Sequence, residues 1–162
     1  MNLGLTAQVL VILAAANGGP VFARNLLGGR CAAPVDGGRR LADGQPLFGA
    51  SKTWRGLIAA LLLASATAPW LGWPWWLGAW AASWSMAGDL FSSFLKRRRG
   101  LPASSRATGL DQIPEALLPA LALTPWLPLG ITETLAVLTV FFAAEILLSP
   151  LLYRLGIRRR PY

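Results

Sequence analysis

The 162-residue sequence contains no histidine and a single cysteine, Cys31. Without histidine there is no imidazole acid–base chemistry, and most zinc sites are excluded. One cysteine makes no internal disulfide and no cysteine-cluster metal site. Acidic residues are few: seven Asp and Glu stand against fifteen Lys and Arg, a formal net charge of +8. Charged residues reach only 14%, where soluble domains carry nearer a quarter. No serine-nucleophile motif is visible, so covalent catalysis has no support. What is abundant is apolar: 54% of residues are hydrophobic and the mean hydropathy is +0.49.

Several apolar runs approach the roughly 20 residues needed to cross a bilayer. They predict an all-α polytopic membrane protein, residues 1–162 forming one integral-membrane domain. Its five transmembrane helices are expected at about 3–23, 57–71, 75–95, 111–129 and 133–153. The cations divide six, five and four among the first polar loop, the second and the tail, and the turns at 72–74 and 129–131 have none. An outside N-terminus then puts every Lys and Arg, including the C-terminal tail and Arg158–Arg160, on the cytoplasmic side of the cell membrane. Topology explains the positive charge without nucleic acid as a partner. The first run has no cation before it and is followed by Arg24 and Arg30, the reverse of a secretory signal. Trp70, Trp73, Trp75 and Trp76 form an interfacial aromatic belt with no interleaved cations for base stacking. Asn17-Gly18-Gly19-Pro20 predicts a break in the first span. Asn17 would face a cavity there, or else hydrogen-bond a neighbouring helix.

The stretch Gly88–Gly100 runs from an apolar, Trp-rich segment into four consecutive cations, Lys96, Arg97, Arg98 and Arg99. As a helix it sets Ser85, Asp89, Ser92 and Lys96 on one face, with Asp89 about 10 Å below Lys96 along the axis. A carboxylate at that depth needs a partner or a wet cavity, and otherwise acts as glue between helices. Glu145 lies deep in the fifth span under the same constraint. Glu133 suits a helix dipole, with Thr132 as N-cap. Asp111 either caps the fourth helix or pairs with Asp89, since both lie at the same end of adjacent antiparallel spans. Such a pair suits Mg²⁺, which takes one or two carboxylates plus substrate phosphates. Between Asp43 and Gly56, the glycines Gly44 and Gly49 allow close backbone approach, and Lys52 and Arg55 suit phosphate. It is not a Walker A loop, because two residues separate Gly49 from Lys52; an ordinary loop with topological cations is the alternative. Intramembrane acid, metal and cations together imply a polyanionic substrate at the lipid boundary. Phosphoryl or nucleotidyl transfer needs little beyond positioning and charge neutralisation.

Gly88-Asp89, Ser93-Phe94-Leu95-Lys96-Arg97-Arg98, Leu110-Asp111-Gln112, Asp43-Gly44-Gln45-Pro46-Leu47-Phe48-Gly49 and Lys52-Thr53-Trp54-Arg55-Gly56 together resemble the CDP-archaeol synthase family. These are membrane CTP-dependent cytidylyltransferases related to the CDP-diacylglycerol synthases. Ser92 and Pro114-Glu115 depart from the family pattern. The resemblance implies that CTP and a lipid phosphate, phosphatidate-like or an archaeal ether lipid, give a CDP-lipid and pyrophosphate. It implies Mg²⁺ on Asp89 and Asp111, phosphates held by Lys52, Arg55, Lys96 and Arg97, and a nucleotide near Asp43, Gly44, Gly49 and Thr53. Asn17 and Glu145 would line the lipid cavity. The competing classes are a small transporter or flippase for an anionic solute or lipid, and a non-enzymatic assembly subunit. A transporter usually shows internal repeats, and none is visible.

Overall fold

The apolar runs become helices because each is bounded by a capping side chain, a glycine or a proline. The computed structural model describes residues 1–157; the tail cations Arg158–Arg160 lie outside the described residues. Helices α1 (Leu3–Leu27), α2 (Trp54–Thr67), α3 (Trp75–Arg98), α4 (Gln112–Leu123) and α5 (Ile131–Arg154) follow in order, and a 3-10 turn, Ala68–Leu71, extends α2. The Asn2 side chain accepts from the Leu5 N–H at 3.0 Å and caps α1. Thr53 caps α2 by accepting from Gly56. Three segments are long and apolar enough to cross a membrane: Leu3–Leu27, Trp54–Leu71 and Ile131–Arg154.

The helices alternate in direction. At one end Asn2 N–H donates to Glu133 at 2.8 Å, and Gln8 donates to the Leu71 carbonyl at 3.0 Å. At the other, Asn25 donates to the Ile157 carbonyl at 3.0 Å and Arg55 to Gly28 at 2.8 Å. Both long loops, and with them the described Lys and Arg, belong to this second end. The apolar core draws on every helix, including Val9, Ile12 and Leu13 of α1, Ala64 of α2, Ala81 of α3, Leu123 of α4, and Val137 and Phe141 of α5. Small residues let the helices approach closely where no hydrophobic effect would press them together in lipid.

Three expectations from the sequence are corrected. First, α1 runs unbroken through Asn17–Pro20. Gly19 marks a crossing with α2 so tight that a Cβ there would lie 2.6 Å from the Ala60 nitrogen; this packing holds the helix through the proline. Second, the fourth span ends at Leu123 rather than near residue 129. Pro125 and Pro128 have no backbone N–H, so the helical hydrogen-bond ladder cannot continue through them. Twelve residues rise only about 18 Å, short of a bilayer core. Third, Gly130, not Thr132, is the N-cap of α5. Glu133 does more than meet a dipole: its carboxylate accepts from both Gly130 and Asn2, joining the starts of the first and last helices.

The first long loop is folded. Its strands touch at two isolated bridges, Pro34 with Thr53 and Arg40 with Pro46. At its centre Asp36 is buried and accepts from Gly38 at 2.9 Å, Phe48 at 3.0 Å and Gly49 at 2.8 Å. Burial works against the charge, but the Gly49, Phe48 and Gly38 N–H groups hold the carboxyl below its ordinary range. The stability it contributes is therefore complete above the unfolded carboxyl's pKa and is lost as pH falls through the lower, folded one. Asp36→Asn should open the loop at neutral pH, with trypsin cutting at Arg39 and Arg40 roughly tenfold faster than in the wild type. Cleavage within twofold of wild type would show that the carboxylate does not hold the loop.

Candidate active site

At the cation-rich end a cavity of about 560 Å³ opens among α1, the segment before α2, α3, the α3–α4 loop, α4 and α5. Asp89 stands on its wall from the middle of α3. The Lys52 ammonium bridges both of its oxygens, at 2.6 and 2.5 Å. Burial alone would depress Lys52, but Asp89, Glu115 and Asp111 reverse that and raise it, so it stays charged at neutral pH. Glu115, one turn into α4, lines the same cavity and brings its carboxyl close to that of Asp89. Two carboxyls this close need a shared proton or a cation between them.

A second pair lies beside the first. Lys96 sits 2.6 Å from Asp111 and donates to the Ser105 carbonyl at 3.0 Å. The other oxygen of Asp111 accepts from Ala107 at 2.9 Å. Asp111 thus occupies the N-cap position of α4 without capping it; its side chain fastens the preceding loop and answers Lys96. Arg97 is only 2% exposed. Its Nη2 donates to the Pro102 carbonyl at 2.8 Å, while its buried Nε has no hydrogen-bond partner among the described residues. A buried guanidinium with an unused donor on a cavity wall is suited to an anion.

Asp89, Asp111, Lys52, Thr53, Arg55, Lys96, Arg97, Asn17 and Glu145, all expected from the sequence, line this one cavity. Two of them also have local duties. Arg55 donates to the Gly28 and Arg30 carbonyls at 2.8 and 2.5 Å, fixing the turn after α1. Asn17 donates to Leu13 at 3.1 Å and to Ser85 at 3.4 Å, so it is an interhelical link as well as a lining residue. The cavity face of α3 carries Met86, Asp89, Ser93, Lys96 and Arg97. It is rotated by about one residue from the expected one: Ser85 and Ser92 point to neighbours, Ser92 donating to Leu110 at 2.6 Å.

Asp43, Gly44 and Gly49 do not line the cavity. Asp43 pairs with Arg98 at 2.5 Å, and Arg98 also donates to Pro46 at 2.5 Å and lies over Phe94. The Gly44 carbonyl accepts from Arg40 at 2.8 Å, and Gly49 serves Asp36. These residues build the loop and clamp it to α3. Two residues escaped the sequence reading of the site and its scaffold. Glu115 follows Asp111 by four, so both fall on one side of α4, and it is an acid within an apolar helix. Asp36-Gly37-Gly38 carries the signature of an Asp turn onto the residue two ahead.

No group of three or more Asp and Glu forms a preformed metal cage among the described residues. The donors present, Asp89, Glu115 and Asp111, are all oxygen. That chemistry fits a hard cation completed by ligand phosphates.

The chain is 34% identical over 153 residues to a CDP-archaeol synthase from Sulfurisphaera tokodaii, covering 91% of this chain and 89% of that protein. A CDP-archaeol synthase from Hyperthermus butylicus is 41% identical over 108 residues, 61% of this chain and 60% of that one. In three dimensions the chain matches a solved structure described as an intramembrane enzyme for archaeal membrane lipids biosynthesis. That match has a TM-score of 0.62 and 32% identity, and covers 84% of this chain and 92% of the other. No protein-family model matches.

Proposed function

The chain belongs to the CDP-archaeol synthase family, and from that premise we propose that it transfers CMP from CTP to a lipid phosphate at the cytoplasmic face of the cell membrane. An oxygen of the lipid phosphate attacks the α-phosphorus of CTP. The bond to the β-phosphate breaks, leaving a CDP-lipid and pyrophosphate. The attacking oxygen is already anionic at neutral pH, so the absence of histidine is no handicap. The difficulty is bringing two polyanions together, and that is a matter of charge and position.

The observation that carries this reading is Asp89, held by Lys52 on the wall of a cavity that also presents Lys96 and Arg97. These cations would bind the triphosphate and the departing pyrophosphate, and Arg97 has a donor to spare. Asp89 with Asp111, joined by Glu115, would hold Mg²⁺. When bound, the ion would neutralise triphosphate oxygens and charge growing on the leaving group. The clustering of cations at one end supports that end facing the cytoplasm. The archaeal relatives favour a diether lipid over a diacyl one.

The test is pyrophosphate release by the purified protein in detergent with CTP, Mg²⁺ and either a diether glycerol phosphate or phosphatidate. Release is expected only when a lipid phosphate is present, and faster with the diether. No release with either lipid would overturn the proposal.

A further inference from the structure

Gly49 is a junction between the folded first loop and the cavity wall. Its N–H donates to Asp36 at 2.8 Å, and the Phe48 N–H donates to the same carboxylate oxygen at 3.0 Å. Its carbonyl accepts from the Lys52 N–H at 3.1 Å. Its α-carbon faces the Arg97 side chain: a Cβ there would lie 3.3 Å from Arg97 Nη1 and 3.4 Å from the Ala103 Cβ. The backbone also has a φ of 95°, a region that glycine enters without steric cost.

Arg97 lines the cavity and Gly49 does not, so the loop backbone backs the guanidinium on the side away from the cavity. Arg97 Nη2 donates to the Pro102 carbonyl at 2.8 Å. Its place is thus set by two pieces of irregular backbone, the turn at Pro102 and the loop at Gly49. The Lys52 and Lys96 ammonium groups are placed instead by Asp89 and Asp111. Loop backbone holds a position only as well as it is anchored. The anchor at Gly49 is Asp36, 5% exposed and outside the cavity. Hydrogen bonds from N–H groups to an ionised carboxylate are roughly twice as strong as neutral ones.

We propose that Asp36 is a positioning residue for nucleotide binding, setting through Gly49 where the Arg97 guanidinium meets the triphosphate. The inference rests on the reading above that Arg97 binds the triphosphate. Asp36 itself touches no substrate. In Asp36→Asn a single carbonyl oxygen replaces two acceptors, so either Gly38 or the Phe48–Gly49 pair faces an amide NH₂. The loop then loosens behind Arg97.

A double-mutant cycle on the full-length protein tests this. CTP dissociation constants are measured by calorimetry with Mg²⁺ and no lipid, so a variant without turnover still reports. Asp36→Asn should weaken CTP about tenfold. In an Arg97→Ala background the same substitution should change CTP binding by less than about twofold, because the group it positions is gone. The KM for lipid phosphate at saturating CTP should stay within about twofold of the wild type's. A merely structural role would raise the lipid KM as well and would persist undiminished without Arg97. Either of those results, or CTP binding unchanged in Asp36→Asn, would overturn the assignment. Should Asp36→Asn fail to fold, the cycle is run with Gly49→Ala, whose methyl group would press on Arg97; CTP binding equal to the wild type's there refutes the proposal. A wild-type protein that neither binds CTP nor releases pyrophosphate would instead refute the cytidylyltransferase reading.

Discussion

Asp89→Asn is expected to reduce CDP-lipid formation by about 10³-fold while the helices stay folded. Asparagine matches aspartate in size and keeps one acceptor oxygen, so packing on α3 changes little. What disappears is the charge. Lys52 now bridges both carboxylate oxygens; opposite an amide it would face one neutral oxygen and a repelling NH₂. Glu115 would lose the carboxylate beside it. The proposed cation would lose its deepest anionic ligand. Both members of the Lys52–Asp89 pair are about a fifth exposed, 21% and 22%, so solvent limits the stability cost. Turnover and the melting temperature should therefore separate. The measurement is pyrophosphate release beside a thermal unfolding curve in the same detergent. Asp111→Asn should also stop turnover, since it frees Lys96 and removes the neighbouring carboxylate. Activity above a tenth of wild type in a folded Asp89→Asn protein would remove that residue from the reaction.

That Asp89 would have a partner and face a cavity was legible because a charge in an apolar helix is costly wherever the chain places it. Helix α3 was legible for a similarly local reason: Pro74 opens it, and a run of cations followed by Gly100 closes it. What the sequence did not show has a different cause. Asn17–Pro20 has the composition of a break, yet the helix continues because α2 lies against it. Asp43 and Gly44 have the composition of a ligand loop, and the pairing of Asp43 with Arg98, 55 positions away, is visible only in the folded chain. In each case the deciding contact is remote in sequence. Glu115 illustrates the same limit from the other side: read along the chain it is a departure after Asp111-Gln112, and only the α3–α4 crossing turns it into a neighbour of Asp89.

That crossing can be tested with a single methyl group. A Cβ on Gly88 would lie 2.3 Å from the Pro114 carbonyl oxygen and 2.8 Å from the Glu115 nitrogen. These are backbone atoms, and no rotamer change can move them aside. Gly88→Ala must push α4 away from α3, at a cost of about 1–3 kcal/mol or more. The displacement falls at the residues that bring Glu115 to Asp89, so activity should drop by about 10²-fold along with the melting temperature. Gly18 supplies the contrast. It also lies inside a helix, but a Cβ there meets nothing within 4 Å. Gly18→Ala should gain up to about 1 kcal/mol from helix propensity and keep its activity. Opposite signs in the two melting curves are expected, because one glycine is required by a neighbouring backbone and the other is not. If the two substitutions shift the melting temperature alike, close approach of α3 and α4 is not what sets the distance between the carboxyls.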